Sequence, residues 1–360
     1  MFNHSDLKFL NNIKTKTLTI SLYLNVDQKQ YTPQEIKTTF GSLLEKARSI
    51  FPAPLMGEIR RRLHLKLSKE VRGLVFFMNP RENIYYEFSL PRPVESGIYL
   101  EKNLHLLPLA KMLDEYERYL IMLFDKERAK FFSVFLGEIE DYREIKLYFP
   151  GRHKRGGFRQ MGYQRHVDEH MRQNLEKMAG ALDSFSRDKK FDRLILAGTP
   201  EALSSMKKIL PTDLKKKIAG EFRPQLFLSH DKVLDQAQKV EEIVERKNES
   251  AKVNKWLKYL GTGGKSCSGL KNVLKMACQG RVLELLLDLD LRAQGYKCFS
   301  CNGLVLYNKN ECSICGAKLE EVDLIDELVQ TVFSQGGKIE FVAGSKELKK
   351  LKGVGARLRY

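Results

Sequence analysis

The chain has 360 residues, enough for two or three domains of ordinary size, and its 42% hydrophobic content excludes a disordered protein. A formal net charge of +17 ranks nucleic acid first among partners, ahead of an anionic membrane, because no basic amphipathic anchor or lipidation signal stands out. The N-terminal residues carry no apolar segment of signal-peptide type, and the longest apolar runs (LVFFM at 74–78, YLIMLF at 119–124) fall far short of the ~20 residues of a membrane span; a soluble, cytoplasmic protein is expected.

In chain order, TLTISLYLNV at 17–26 reads as a strand, and a helix is expected from Thr32 with Pro33 in its first turn. RGLVFFMN and NIYYEFSLP are two further strands, joined as a hairpin by NPREN, and LPRPVESG is loop. A second hairpin is expected from YLIMLF and AKFFSVFLG. A helix over about 163–185 follows, with Val167, Met171, Leu175, Met178 and Leu182 on one face at spacings of three and four. DRLILAG reads as a buried strand, then a helix from Pro200, a strand at RPQLFLS, and helices over about 232–260. Beyond them LKNVLKMACQG reads as helix, RVLELLLDL as strand, DLIDELVQTVFSQGG as a helix ending at a glycine pair, and KIEFVAG and GARLRY as closing strands.

Between the second hairpin and its helix lies GRHKRGGFRQ, residues 151–160. Arg152, Lys154, Arg155 and Arg159 surround Gly156 and Gly157, and no acid interrupts them. Such a stretch cannot pack into a core. Its glycines allow close approach of backbone, and its cations neutralise phosphate.

Of the six cysteines, Cys298, Cys301, Cys312 and Cys315 form two C-x-x-C pairs ten residues apart. Two thiolates on each of two tight turns make the tetrahedral sulfur set that structural zinc prefers, with no open position for catalysis. Gly303 and Gly316 are placed to supply the turn backbone, and Cys267 and Cys278 are read as bystanders. HVDEH at 166–170 matches an inverted zinc-protease pattern. One helix supplies only two ligands, however, and the cationic loop beside it suits RNA better than a peptidase cleft.

DLIDELV followed by a strand and a terminal LRY resembles the end of the archaeal and eukaryotic class I release factors, whose superfamily includes Pelota. QGRVLELLLDLDL, the four-cysteine segment and GTGGKSCSGLKNVLKMA sit where that family has similar parts, and SLYLNVD resembles its divergent bacterial branch. The resemblance covers about Tyr119 to Tyr360. It implies an α/β protein of three domains, 1–117, 118–245 and 246–360, each a mixed sheet with flanking helices, with a zinc ribbon inserted in the third.

The resemblance also implies a role for the basic loop. The family's middle domain places Gly-Gly-Gln in the ribosomal peptidyl-transferase centre, where the glutamine positions the water that hydrolyses peptidyl-tRNA. Arg155, Gly156, Gly157, Tyr163 and Arg165 match that pattern in spacing, but Phe158 stands where the glutamine belongs, and Gln160 comes two places later. Two residues of extended chain are roughly 6–7 Å. Either Gln160 is a displaced catalytic residue, or Phe158 stacks on a base and the loop is a plug. The RNA-binding set is then Arg152, Lys154, Arg155, Gly156, Gly157, Phe158, Arg159 and Arg165. NIKT at 12–15 is read as a decoy for the stop-codon motif, since it precedes the first strand. The basic runs at 60–62 and 215–217 serve RNA or plain solvation equally well.

The expected function is thus a monomeric ribosome-binding translation factor that occupies the A site, touches its rRNA and that of the peptidyl-transferase centre, and works with a translational GTPase in rescue or hibernation without reading stop codons. Hydrolysis of peptidyl-tRNA through Gln160, and RNA binding off the ribosome, are the alternatives.

Overall fold

The computed structural model describes residues 2–48, 53–54, 57, 61, 67–68, 70–149, 160–187, 189, 191–224, 229–263, 265–307 and 311–360, with side chains from 169 onward in the helix that begins at 160. The chain divides into two units, one made of 1–115 with 248–360 and the other of 116–247.

The first unit opens with helix α1 (His4–Asn11), whose start is fixed by a capping box: Asn3 accepts from the backbone while Asp6 reaches back. Strand β1 (Thr19–Asn25) follows, then α2 (Pro33–Lys46), capped by Thr32 and Glu35 in the same reciprocal way with Pro33 in the first turn. Strands β2 (Gly73–Asn79) and β3 (Ile84–Leu90) make the expected hairpin, and β4 (Gly97–Glu101) and α3 (Leu107–Glu115) complete this part. The sheet order is β3-β2-β1-β4. Ile20, Leu22 and Leu24 bury against Ile36, Phe40 and Leu44 of α2. Every pairing in this sheet is antiparallel, which corrects the expectation of a mixed one: β2 and β4 both return beside β1, and no parallel crossover is made.

The second unit is a five-stranded sheet in the order β7-β6-β5-β8-β9. Its strands are β5 (Tyr119–Phe124), β6 (Arg128–Phe135), β7 (Glu138–Lys146), β8 (Arg193–Ala197) and β9 (Ile218–Phe222), antiparallel from β5 to β7 and parallel from β5 to β9. Helix α4 (Gln160–Ser186) precedes β8, and α5 (Pro200–Ile209) and α6 (Thr212–Lys216) follow it. The last strand lies just before the expected RPQLFLS: Ile218 to Phe222 pair with β8, and residues 225–228 of that stretch are outside the described residues. Instead of several helices over 232–260 there is one, α7 (His230–Gly261). Leu175, Met178, Leu182 and Phe185 of α4 bury on one face of the sheet, and Val233 and Ala237 of α7 on the other. Inside this unit the buried Arg193 is gripped by Glu117, Glu241 and Glu245. Burial outweighs that attraction for Glu241 and pushes its carboxyl up to about 7.

From residue 248 the chain rejoins the first unit. Strand β10 (Ser266–Ser268), α8 (Leu270–Cys278) and β11 (Val282–Asp288) lead to a small antiparallel sheet of β12 (Gln294–Lys297), β13 (Leu304–Val305) and β14 (Glu320–Asp323). Helix α9 (Leu324–Ser334), β15 (Lys338–Val342), α10 (Lys346–Lys350) and β16 (Val354–Leu358) finish the chain, with a mixed sheet ordered β10-β16-β11-β15. Trp256 of α7 is wholly buried and donates its indole N–H to Cys267 O at 3.1 Å. A Cβ on Gly355 would stand 2.3 Å from the indole, so only glycine lets β16 pass beneath the ring. Truncating a buried tryptophan costs about 3–5 kcal/mol.

Helix α9 is buried nearly all round, acids included. Asp326 accepts the backbone N–H groups of Leu106 (2.8 Å) and Leu107 (2.6 Å), so it caps α3 from the far end of the sequence. Glu327 takes Asn103 at 2.8 Å and Lys297 Nζ at 2.5 Å. Gln330 donates to Leu104 O at 2.7 Å. The DLIDELV motif thus fastens residues 103–107 to the C-terminal part of the same unit.

Candidate functional site

Residues 151–159, and with them Arg152, Lys154, Arg155, Gly156, Gly157, Phe158 and Arg159, lie outside the described residues. Gln160 is the first residue of α4, and Tyr163 and Arg165 fall in its opening turns. The seat of this loop is described on both sides. Before it, the chain is fastened to the β5–β6 turn. Asp125 Oδ1 accepts the amides of Glu127 (2.7 Å) and Arg128 (2.8 Å), which tightens that turn. Leu147 then donates its amide to Glu127 O at 2.7 Å, and the Lys126 ammonium lies 5.7 Å from the Phe149 ring centre.

After the loop, α4 supplies the tie. Asn174 is buried, and its amide nitrogen donates to Lys126 O at 3.0 Å and Tyr148 O at 2.9 Å. One side chain therefore joins the helix, the turn and the strand end from which the loop departs. Arg128 and Lys146, both exposed, face each other across β6 and β7. Like charges directly opposite are unfavourable in a sheet, and Glu144, whose carboxyl is held down first by the Tyr142 hydroxyl and then by these neighbouring cations, relieves them in part.

The zinc-protease pattern does not gain a site here. Glu169 is held bidentately by Arg172 at 2.7 and 3.0 Å and also takes Gln173 at 3.0 Å. The Arg172 bond holds its carboxyl down at about 2. The side chain of His166 is outside the described residues. Of the 215–217 run, Lys215 donates to Lys208 O and Lys217 to Phe191 O at 2.7 Å, with the Lys217 ammonium 3.9 Å from the Phe191 ring centre.

The four expected cysteines do converge. Cys298 Sγ is 3.4 Å from Cys315 Sγ, Cys301 Sγ is 3.5 Å from Cys312 Sγ, and all four sulfurs lie within 4.8 Å of one another. A tetrahedral ion with bonds of about 2.3 Å sets its sulfurs about 3.8 Å apart, so the set fits a metal. Each pair sits on a knuckle: Asn302 N–H donates to Cys298 O and Gly316 N–H to Cys312 O, at 2.7 and 2.9 Å. Gly316 has φ +74°, as expected of a turn glycine, but at the first knuckle the left-handed residue is Asn302, φ 59°, rather than Gly303. Asparagine tolerates that region better than other side chains. The Cys301 amide aims at Cys298 Sγ and draws that thiol down to about 6. The Gly303 amide pulls Cys301 the same way, but the bond to the facing Cys312 thiol, burial and the other two thiols together overcome it and leave Cys301 at about 12. A cation between them favours the thiolate at all four positions. Cys278 stays outside the four-sulfur set, as expected, but its sulfur accepts the Leu304 amide at 3.4 Å and ties α8 to the insert.

Sequence reasoning missed Asn174. Its one visible signal was a polar residue beside Leu175 on the apolar face of a helix.

Residues 105–242 match the family model of bacterial archaeo-eukaryotic release factor family 10. Over 98% of its length the chain is 25% identical to peptide chain release factor subunit 1 of Methanocaldococcus jannaschii, spanning 96% of that protein. Over 81% of its length it is 26% identical to the same factor of Archaeoglobus fulgidus, spanning 77% of it. A solved model of ribosome-bound archaeal Pelota and ABCE1 aligns with 99% of this chain and 94% of that one at 14% identity, with a TM-score of 0.44, too loose to support a structural argument. Among the described residues no helix is long and apolar enough to cross a membrane.

Proposed function

We propose that the chain is a member of the release-factor and Pelota superfamily, as its likeness to bacterial archaeo-eukaryotic release factor family 10 and to archaeal release factor subunit 1 supports, and that it is a ribosome-binding translation factor that places its basic Gly-Gly loop in the peptidyl-transferase centre without hydrolysing peptidyl-tRNA. It occupies the A site of a stalled or idle ribosome, in rescue or hibernation, and does not read stop codons. The first unit's C-terminal part is the side that meets a translational GTPase, and Zn2+ is the ion its four cysteines hold. The protein works as a monomer in the cytoplasm.

The observation that carries this reading is the seat of the loop. Asn174, midway along α4, fastens that helix to the β5–β6 turn and to Tyr148 just before the loop, and the sequence of the loop holds four cations and two glycines. A base tied in this way, followed in sequence by cations that neutralise phosphate and glycines that permit close backbone approach, suits entry into a crowded polyanionic cavity. Gln160 opening α4, rather than standing beside Gly157, favours occupancy over hydrolysis: a catalytic donor has to be placed to within about half an ångström. Phe158, beside the glycines, is the residue that would stack on a base.

The test is release of labelled peptide from ribosomes holding peptidyl-tRNA with an empty A site, read alongside ribosome binding. Stable binding without release is expected, with Gln160→Ala silent and Phe158→Ala binding about 10-fold more weakly, as the loss of one stacked base predicts. Release that disappears in Gln160→Ala would make the protein a hydrolase with a displaced glutamine.

A further inference from the structure

Apart from the cysteines, a second set of side chains in the first unit converges, two carboxylates on one imidazole. Glu101 ends β4, His105 lies four residues on, and Asp326 stands in the first turn of α9. His105 Nδ1 is 3.6 Å from Asp326 Oδ2 and 3.8 Å from Glu101 Oε2, and the three ligand atoms lie within 4.8 Å of one another. His105 is 2% exposed and Asp326 fully buried. Neither His105 Nδ1 nor Glu101 Oε2 has a hydrogen-bond partner, and at these distances a proton on Nδ1 would reach neither carboxylate well. Among the described residues, His105 is the one ion-pair partner of both acids.

One imidazole, even protonated, cannot balance two carboxylates, and orphaned buried polar atoms are rare enough to need a cause. We propose that Glu101, His105 and Asp326 form a second metal site that takes a first-row divalent transition ion such as Zn2+. Bonds of about 2.1 Å put neighbouring nitrogen and oxygen ligands about 3.0–3.4 Å apart, a contraction of roughly 0.2–0.8 Å from the two His105 distances here. The imidazole favours zinc, iron or nickel over magnesium or calcium.

The surroundings orient the ligands as an outer shell should. The Tyr99 ring stacks on His105 at 3.6 Å and 11°, fixing the imidazole plane. The Tyr23 hydroxyl donates to His105 O at 2.5 Å. Asp326 Oδ1 is taken by the Leu106 and Leu107 amides, and Gln330 donates to Oδ2 at 2.6 Å, leaving that oxygen one lone pair for the ion. The ion would staple the end of β4 to α9, across more than two hundred residues of sequence. It does not depend on the ribosomal reading.

Elemental analysis of the full-length chain, after dialysis against buffered Zn2+, tests the site. Two equivalents per chain are expected in the wild type and one in His105→Gln, which should keep the thiolate-to-metal charge-transfer band when Co2+ replaces zinc. Treating the wild type with a mercurial, which strips thiolate-bound metal, should leave one equivalent behind. A wild-type chain that retains none after the mercurial, or a folded His105→Gln that still holds two, overturns the proposal. Should His105→Gln not fold, the mercurial measurement on the wild type decides alone. One equivalent that resists the mercurial from the start would keep this site and remove the cysteine one.

Discussion

At the scale of single residues, Asn174 and Glu169 sit a turn and a half apart on the same helix and should respond very differently to truncation. Asn174 is buried and bonded to two carbonyls, whereas Glu169 is exposed and paired with Arg172 and Gln173 in water. Removing a buried amide leaves both carbonyls unsatisfied and costs about 1–3 kcal/mol, while an exposed ion pair is worth about 0–1 kcal/mol. Asn174→Ala should therefore lower the urea midpoint of the unit spanning 116–247 clearly, and Glu169→Ala should hardly move it. Equal effects would mean that Asn174 is not the tie of the loop seat. The same contrast explains what could be read in advance. The cysteine pairs announce themselves because each ligand pair is local. His105 and Asp326 do not, because their meeting depends on packing between β4 and α9.

At the scale of elements, legibility follows where the start signal comes from. Helix α2 was readable because Thr32, Pro33 and Glu35 carry its whole cap. The β2–β3 hairpin was readable because its turn residues sit between two apolar runs. Helix α3 begins at Leu107, and the amides of Leu106 and Leu107 are taken by Asp326 from the far end of the chain, so no window of neighbouring sequence contains that cap. Strand β7, EIEDYREIK, escaped notice because it is an exposed edge, where charged residues protect against unwanted pairing and hide the alternation of a strand. The cysteine insert is an element whose own core is small: Cys298, Cys312 and Leu319 are its buried members. It should depend on its ion. Stripping the metal with a mercurial, or making Cys312→Ser, is expected to raise amide exchange across 295–320 by at least tenfold, while the β10-β16-β11-β15 sheet stays protected. Unchanged exchange in the insert would show that β12, β13 and β14 hold without a metal.

At the scale of the whole molecule, the question is whether a net charge of +17 acts as a diffuse field or through placed contacts. Part of the charge is already spent inside the units: Arg193 is taken by three glutamates, Lys297 by Glu327, and Lys215 and Lys217 by backbone carbonyls. Residues 151–159 add four cations with no acid between them, directly after a strand that pairs Lys146 with Arg128, so this stretch of sequence is the densest offer to phosphate in its unit. A cation that neutralises a phosphate releases a counterion and adds roughly 0.7–0.9 to the slope of log affinity against log salt. Replacing Arg152, Lys154, Arg155 and Arg159 together by alanine should thus flatten the salt dependence of ribosome binding by about 3. Replacing Lys215, Lys216 and Lys217 removes nearly as much net charge from the same unit, and should leave the slope almost unchanged. A diffuse field would respond to the two variants in proportion to the charge removed. Equal loss per charge would therefore reject the loop as the docking point, whereas a loss confined to the first variant places the phosphate contacts on the loop itself.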